Sequence, residues 1–382
     1  MKEKKINLMN LTEISKMLQS KKISPVEIVE ECVKSSKRLQ PKLNAYITFL
    51  EDKAKKEAKI AEKEIQCGMK SPLHGIPIAL KDLFYTKDIL TTAGSKLLCD
   101  FKPEYNGTIT ERLKKSGAIL MGKTNLHEFA FGPTNEDSFY GPTRNPWDTS
   151  KITGGSSGGS AITVATGMAY MAMGTDTGGS VRIPSAFCGV VGFKPTYGLA
   201  SLHGIIPLSF TLDHPGPLTR SVYDAAITMD VITGYDSKDP CAGRYKGKNI
   251  SFTKNLKNVD NMKGFTIGIP SNFYFDKVDY EVENLVKNAI SDFKQLGAKI
   301  KYIEIPYLDT VPAISTTIMF SEAAFYHQDK LAMHPDEYKK TVKERLEQGM
   351  RYSALDYISA IKDRGKVFDA WNKAIHDLDA VV

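Results

Sequence analysis

Two clusters of glycine and serine are the residues most suited to chemistry in this sequence. The first, Thr153–Ser160, holds four Gly and three Ser in eight residues, and the second, Gly174–Pro184, contains Gly178-Gly179-Ser180. Consecutive glycines let backbone N–H groups point into one small space, as an oxyanion hole requires. A serine at the rim of such a space is a candidate nucleophile, and Ser180 occupies that position.

The first cluster has three other interpretations. A phosphate-binding P-loop would need a lysine near its end, but Ser160 follows Gly159 directly. The segment 154–158 matches the G-x-S-x-G pattern of a nucleophile elbow, yet the preceding residues 145–151 do not form the apolar strand that this motif needs. A flexible linker is the third interpretation, and it predicts no second cluster downstream.

A serine nucleophile needs a base, and Lys81 is the best candidate. None of the seven histidines lies in a context that singles it out. Lys81 ends the apolar run Leu73–Leu80, and burial would lower the pKa of its ammonium group from about 10.4, so that a neutral amine could act as a base. The alternative is a salt bridge to Asp82 or Asp176, which would keep the lysine charged.

Together these positions resemble the amidase signature family. The resemblance rests on the runs Gly155–Ser160 and Asp176–Pro184, with Lys81 upstream of both, and it covers nearly the whole chain. In that family the triad consists of a lysine, a serine in a cis peptide bond and a nucleophilic serine. Position by position, these fall on Lys81, Ser156 and Ser180.

The resemblance implies amide hydrolysis through an acyl-enzyme. Neutral Lys81 takes a proton from Ser156, which takes one from Ser180, and Ser180 attacks the amide carbonyl. The backbone amides expected to hold the oxyanion are those of Thr177, Gly178, Gly179 and Ser180.

Three residues are candidates for substrate contact. Arg345 resembles a family arginine that can hold a substrate carboxylate, and an exposed helix charge is the alternative interpretation. Phe129 and Phe131 are expected either to line the acyl pocket or to pack in the core.

Four residues near the serines are expected to have structural roles. Asp176 and Arg182 are expected to pair and fix the nucleophile loop. Ser157 is expected to hydrogen-bond within the site, and Ser160 to cap the following helix.

The family contains two main activities. One is a stand-alone amide hydrolase, and the other is the glutaminase (A) subunit of glutamyl-tRNA(Gln) amidotransferase, which releases ammonia from glutamine for a partner protein. That subunit typically carries an Arg-Tyr-Asp-Gly run where this sequence has Gln328-Asp329-Lys330, so the hydrolase is favoured. A folded but inactive, truncated remnant is the third hypothesis, because the apolar ending Leu378–Val382 resembles the start of a buried strand.

The elements that must position these residues follow an α/β pattern. Helices are expected over about 8–66, one of them beginning at the capping box Ser24–Glu27. Alternating short apolar strands and helices predict a large mixed sheet with helices on both faces, with a catalytic core over about 67–234 and a helical substrate-side part over about 263–382. We expect one amidase domain over 1–382, incomplete at its C-terminal end.

Composition sets the remaining expectations. The chain has 382 residues, 42% of them hydrophobic, and a net charge of +7, which is too diffuse to indicate a dedicated nucleic-acid surface. Five widely spaced cysteines and no signal segment or long apolar run favour a cytoplasmic protein without a disulfide framework or membrane span. We expect no cofactor and no metal, a small-molecule amide as substrate, and no direct nucleic-acid contact outside a tRNA amidotransferase complex; a homodimer is left open.

Overall fold

Three helices open the chain: α1 (Leu11–Gln19), α2 (Pro25–Leu43) and α3 (Glu51–Cys67). The capping box predicted at the start of α2 is present. The Ser24 hydroxyl accepts a hydrogen bond from the Glu27 amide at 3.2 Å, and the Glu27 carboxylate accepts one from the Ser24 amide at 2.8 Å. The predicted N-terminal helices are therefore confirmed.

The computed structural model describes residues 5–248, 250–256 and 259–382. These residues group into two units, one formed by the chain up to Leu256 together with Glu322–Glu347, and one formed by the remaining residues up to Ser321 and by Gln348–Val382. All the sequence-predicted site residues lie in the first unit.

The first unit contains a six-stranded sheet in the order β1-β3-β2-β4-β6-β5. Its strands are β1 (Tyr46–Phe49), β2 (Pro77–Lys81), β3 (Ile119–Thr124), β4 (Met171–Asp176), β5 (Val191–Gly192) and β6 (His214–Thr219). Its further helices are α4 (Thr108–Lys115), α5 (Gly158–Ala165), α6 (Arg182–Cys188), α7 (Val222–Ile232) and α8 (Phe252–Asn255). Strand β2 runs parallel to β3 and β4, whereas the other pairs are antiparallel.

The centre of this sheet is covered on both faces. Every residue of β2, β3 and β4 is buried, which requires packing against both faces because successive side chains point to opposite sides. The helices of the first unit provide this cover. The predicted α/β class, a mixed sheet with helices on both faces, is confirmed.

The second unit is built on a parallel three-stranded sheet in the order β8-β7-β9. Its elements are β7 (Thr266–Pro270), α9 (Tyr280–Gln295), β8 (Lys299–Ile303), α12 (Ala354–Ile375) and β9 (Ala380–Val381). Between them in the sequence lie α10 (Val311–Met333) and α11 (Lys340–Gly349), in which the chain passes from one unit to the other. Ile267 and Ile269 of β7 form the centre of a small apolar core.

Two further features are the state of the cysteines and the character of the helices. All five cysteines are free. Within the described ranges, no helix combines the length and the apolar character needed to cross a bilayer.

Candidate active site

Lys81 is the last residue of β2, and its side chain is fully buried. Its Nζ donates hydrogen bonds to Ser156 Oγ at 2.7 Å and to Thr175 Oγ1 at 2.8 Å. Thr175 lies near the end of β4, the parallel neighbour of β2, so both side chains come from the carboxyl edge of the same strand pair. The interpretation of Lys81 as the partner of Asp82 is wrong, because Asp82 forms an ion pair with Lys123 at 3.1 Å.

Burial lowers the pKa of Lys81 from 10.5 to about 7. The negative charges of Asp213 and Asp176 act in the opposite direction but are outweighed by the loss of hydration. A lysine with this pKa is partly neutral at pH 7. Its amine can therefore accept a proton without first losing one at high pH.

Ser156 lies on an irregular segment that packs tightly against the loop 127–135. The Gly155–Ser156 peptide bond is cis. The Gly155 amide donates to the Pro133 carbonyl at 2.6 Å, and the Ser156 carbonyl accepts from the His127 amide at 3.2 Å. A Cβ atom on Gly155 would lie 2.8 Å from the Asn135 nitrogen, so only glycine fits this approach of two backbones.

A backbone hydrogen bond joins the two glycine and serine clusters. The Ser157 amide donates to the Ser180 carbonyl at 3.2 Å, and the Ser157 hydroxyl donates to the Thr175 carbonyl at 3.3 Å. The prediction that Ser157 hydrogen-bonds within the site is confirmed. The prediction that Ser160 caps a helix is wrong: α5 begins at Gly158, so Ser160 lies inside its first turn, where its hydroxyl donates to the Met173 carbonyl at 3.0 Å.

The Asp176 carboxylate organises the loop that carries Ser180. It accepts hydrogen bonds from the Gly179 amide at 2.8 Å and the Val181 amide at 3.1 Å, and from the Arg182 guanidinium at 2.8 and 3.0 Å. Burial alone would raise the pKa of Asp176, but the hydrogen bonds and charge of Arg182 hold it below its ordinary value. The predicted pairing of Asp176 with Arg182 is confirmed.

The loop presents some of the predicted oxyanion donors and not others. Within the part of the chain that the structure describes, the amides of Thr177, Gly178 and Ser180 and the Ser180 hydroxyl make no hydrogen bond. A Cβ atom on Gly178 would meet nothing within 4 Å, which marks open space beside this residue. The Gly179 amide, in contrast, already donates to Asp176, so the structure gives this predicted donor another partner. Ser180 is 8% exposed.

The residues predicted to contact substrate form a second group, on the loop 127–135 and on α11. Phe129 is fully buried, with its ring centroid 4.4 Å from that of His327. The Arg345 guanidinium donates to the Phe131 carbonyl and lies 5.7 Å from the Phe131 ring. Arg345 is thus half-buried and not an exposed helix charge. This group adjoins Ser156 through His127, and the described contacts include none from Phe129, Phe131 or Arg345 to Lys81 or Ser180.

Thr175 and Asp213 belong to the site, and sequence reasoning missed both. Thr175 was detectable in principle, because parallel strands that end together place their last side chains at one edge. Asp213 is buried and accepts a hydrogen bond from the Thr177 hydroxyl at 2.5 Å. Nothing in its sequence context, between Leu212 and His214, predicts this contact.

A buried amine in contact with a hydroxyl, near a glycine-rich turn with unpartnered amides, provides the groups that acyl transfer would require. The chain belongs to the amidase signature family: the family model described as Amidase matches residues 27–382. Among curated relatives, the A subunit of glutamyl-tRNA(Gln) amidotransferase from Sulfurihydrogenibium sp. (strain YO3AOP1) is 38% identical over 399 residues, covering 98% of this chain and 81% of that protein.

Two solved structures are also similar to this chain. A crystal structure of an amidase has 36% identity and a TM-score of 0.87, covering 98% of this chain and 81% of that one. The native peptide amidase from Stenotrophomonas maltophilia has 28% identity and a TM-score of 0.87, covering 98% of this chain and 83% of that one.

Proposed function

We propose that this chain is an amide hydrolase that forms an acyl-enzyme on Ser180, with Lys81 as the base and Ser156 as the proton relay. The observation that carries the proposal is the fully buried Lys81 amine, whose pKa is lowered to about 7 and which lies 2.7 Å from the Ser156 hydroxyl. A neutral amine can accept a proton as a general base, whereas a charged lysine cannot. The Ser157–Ser180 backbone contact supports the third position of the triad.

In the proposed reaction, attack by Ser180 is coupled to two proton transfers. As the bond from Ser180 Oγ to the carbonyl carbon forms, the Ser180 proton passes to Ser156 Oγ and the Ser156 proton passes to Lys81 Nζ. The C–N bond then breaks as a proton returns along the same path to the leaving nitrogen, which departs as ammonia or an amine. Water hydrolyses the resulting ester through the same relay.

The oxyanion is assigned to backbone donors of the loop 177–180. The amides of Thr177, Gly178 and Ser180 have no other partner among the described residues, whereas the Gly179 amide serves Asp176. Donors of this kind typically contribute about 3 kcal/mol each to transition-state stabilisation. We assign the dominant share to the three unpartnered amides.

The substrate is a linear carboxylic amide, and Arg345 with Phe131 is the first place to seek contacts with its acyl part. The guanidinium is desolvated and half-buried, which lowers its pKa, yet arginine stays charged throughout the working range. A carboxylate-bearing acyl chain would complement this charge.

A second candidate is the ammonia-releasing subunit of a tRNA amidotransferase. The observation that favours it is the similarity to such subunits, for example the relative from Sulfurihydrogenibium sp. with 38% identity. In this case the substrate is glutamine, and a partner protein receives the ammonia. The segment Gln328-Asp329-Lys330, in place of the run typical of those subunits, supports the stand-alone hydrolase instead.

Ammonia release tests the two candidates directly. The purified chain is offered glutamine, asparagine, a peptide C-terminal amide, an aliphatic amide and an aryl amide, with Ser180→Ala as the control. Release by the chain alone from an amide other than glutamine, lost in Ser180→Ala, supports the stand-alone hydrolase. Release only from glutamine, and only with transamidase partner subunits present, supports the second candidate. Release that persists in Ser180→Ala contradicts both.

A further inference from the structure

Asp213 lies at the carboxyl edge of the sheet, where it closes one side of the proposed nucleophile loop. It directly precedes β6, and the first residue of that strand, His214, pairs in register with Asp176 at the end of β4. The side chain is buried at 4% exposure. A buried carboxylate is unfavourable unless its oxygens are hydrogen-bonded, so its partners matter.

The two oxygens of Asp213 hold two different segments. Oδ1 accepts from the Thr177 hydroxyl at 2.5 Å, and Oδ2 accepts from the amides of Leu208 at 2.9 Å and Ser209 at 3.1 Å. Thr177 is the first residue of the nucleophile loop. Asp213 binds the Thr177 end of the loop, and Asp176 binds Gly179 and the residues after Ser180. Each end of the loop is therefore hydrogen-bonded to a different carboxylate.

The segment that Asp213 grips is itself fixed. The Glu322 carboxylate of α10 accepts from the Ser209 hydroxyl at 2.5 Å, from the Thr211 amide at 3.0 Å and from the Thr211 hydroxyl at 2.6 Å. These contacts tie the 208–211 segment to α10. The Thr177 hydroxyl is therefore joined through Asp213 to a segment that is itself hydrogen-bonded to a helix.

Asp213 also acts on the base. Its charge and that of Asp176 are the two that oppose the effect of burial on Lys81. Burial raises the pKa of Asp213 itself to about 6, so this charge is lost as the pH falls below that value. His127 has its pKa lowered to about 4, chiefly by burial, and is neutral when Lys81 titrates. Lys81 thus contacts two hydroxyls and is acted on by the charges of two carboxylates.

We propose that Asp213 is a positioning residue for the amide hydrolysis: it sets the Thr177 end of the loop, so that the unpartnered amides converge on one point. This inference rests on the proposed function. The first effect of the side chain passes through Thr177. The second, the charge of Asp213 acting on Lys81, supplies a pH readout that a merely structural role would not move.

Labelling of Ser180 by a fluorophosphonate tests both effects without knowledge of the natural amide. The second-order rate is measured from about pH 5.5 to 9.5 for the wild type and for Asp213→Asn, Thr177→Val and Asp236→Asn. Asp236 is the matched control, because it is also a buried aspartate but lies away from the proposed loop. Its carboxylate accepts hydrogen bonds from the hydroxyls of Thr108 at 2.5 Å and Ser201 at 2.6 Å.

In Asp213→Asn we expect the plateau rate to fall about 10- to 100-fold and the acid limb to move to lower pH, because Lys81 loses a charge that stabilises its protonated form. Thr177→Val should share the fall in plateau rate and keep the wild-type acid limb, whereas Thr177→Ser should restore the rate. Asp236→Asn should change neither quantity, whatever it does to the unfolding temperature.

A folded Asp213→Asn with the wild-type plateau rate and acid limb would overturn the inference. If Asp213→Asn does not fold, Thr177→Val decides the first effect, and a wild-type rate in that variant would overturn it. A wild-type protein that the probe does not label at Ser180 would instead remove the proposed function itself.

Discussion

Two buried lysines lie on the neighbouring strands β2 and β3, and their partners give them different chemistry. Lys81 and Lys123 are both fully buried, and burial lowers the pKa of each. Lys123 has a carboxylate partner, Asp82, at 3.1 Å, whereas the hydrogen-bond partners of Lys81 are two neutral hydroxyls. The Asp82 carboxylate favours the charged form of Lys123 against the effect of burial, whereas the described ion pairs include none for Lys81, so Lys81 is the better suited of the two to act as a neutral base.

This contrast predicts opposite results for matched substitutions. Lys81→Met should slow the labelling of Ser180 by about 100- to 10,000-fold with little loss of stability, because the variant no longer has to bury an ionisable amine. Lys123→Met should cost about 3–5 kcal/mol in the free energy of unfolding, because it leaves Asp82 buried without a counter-charge. Chemical denaturation measures both. Equal stability losses in the two variants would contradict the distinction.

The pH dependence of the rate follows from the same lysine. Since Lys81 acts in its neutral form and its pKa is lowered to about 7, kcat/KM should fall about tenfold per pH unit below pH 7 and level off above it. Initial rates on the best amide from the substrate panel measure this profile. A rate that stays constant down to pH 5, or that rises only above pH 9, would be inconsistent with this base.

Motifs located the residues of the proposed triad, but not the contacts that tune them. Lys81, Ser156 and Ser180 stand out because glycine clusters and a strand-end lysine are unusual in sequence. Thr175 and Asp213 are ordinary residue types, and the Lys81–Thr175 contact joins positions 94 apart in the chain. The engagement of the Gly179 amide depends on how the loop curls around Asp176, which no spacing reveals.

At the scale of elements, α5 fixes the proposed proton relay by packing its first turn directly against other backbone. A Cβ atom on Gly159 would lie 2.4 Å from the Ala45 oxygen and 2.5 Å from the Asn125 oxygen. Backbone atoms cannot give way as a flexible side chain can. Gly159 is thus a steric requirement of this contact as well as part of a motif.

Two helical glycines should respond in opposite directions to alanine. Gly159→Ala should destabilise the protein by at least about 2 kcal/mol through overpacking. Gly365→Ala, inside the exposed part of α12 where a Cβ atom meets nothing within 4 Å, should stabilise by about 0.5–1 kcal/mol through helix propensity. Thermal unfolding of the two variants tests the pair. A neutral Gly159→Ala would mean that the α5 contact is looser than described.

Helix α11, which carries Arg345, begins on two carboxylates of the loop 128–137. Glu128 Oε2 accepts from the Lys339 amide at 2.7 Å, and Asp137 accepts from the Thr341 hydroxyl. Negative groups at a helix N-terminus satisfy its free amides and complement its dipole. The loop that touches Ser156 therefore also places Arg345.

Glu128 makes this anchor sensitive to pH. Burial raises the pKa of its carboxyl from 4.5 to about 7, so between these values the folded protein holds a proton that the unfolded chain releases, and stability falls as pH rises. Glu128→Gln keeps an acceptor for the Lys339 amide and does not titrate. The variant should unfold at a higher temperature than the wild type at pH 8 and at a similar temperature at pH 4.5.

The exposed Glu104→Gln is the control and should match the wild type at both pH values. If the difference between Glu128→Gln and the wild type were the same at pH 4.5 and pH 8, Glu128 would not be the titrating group.

Helices and buried parallel strands were largely predictable, whereas some antiparallel strands were not. The pattern of apolar residues predicts a helix over 279–296 and strands at 265–269 and 299–304, and these correspond to α9, β7 and β8. Strand β6 was missed because Pro215 and Pro217 lack the N–H groups of ordinary strand residues. Strand β1 was missed because its four residues are too few to show the alternation of apolar and polar side chains by which a strand is recognised.

At the scale of the whole molecule, the fold and the family leave the choice of amide open. Chains similar to this one include a component of a tRNA amidotransferase and a peptide amidase. One fold can host different activities, because substrate recognition depends on the residues of the site and not on the fold itself. Substrate preference is therefore expected to depend on Arg345 and its neighbours, and the ammonia-release assay measures it.

The central claim is that Lys81 drives proton removal from Ser180 through Ser156. The most direct measurement is peptide mass spectrometry after treatment of the wild type, Lys81→Met and Ser156→Ala with a fluorophosphonate at pH 8. The account predicts that the wild-type peptide containing Ser180 gains the mass of the probe, and that both variants react about 100- to 10,000-fold more slowly. A label on Ser156 in place of Ser180, or labelling of Lys81→Met at the wild-type rate, would contradict it.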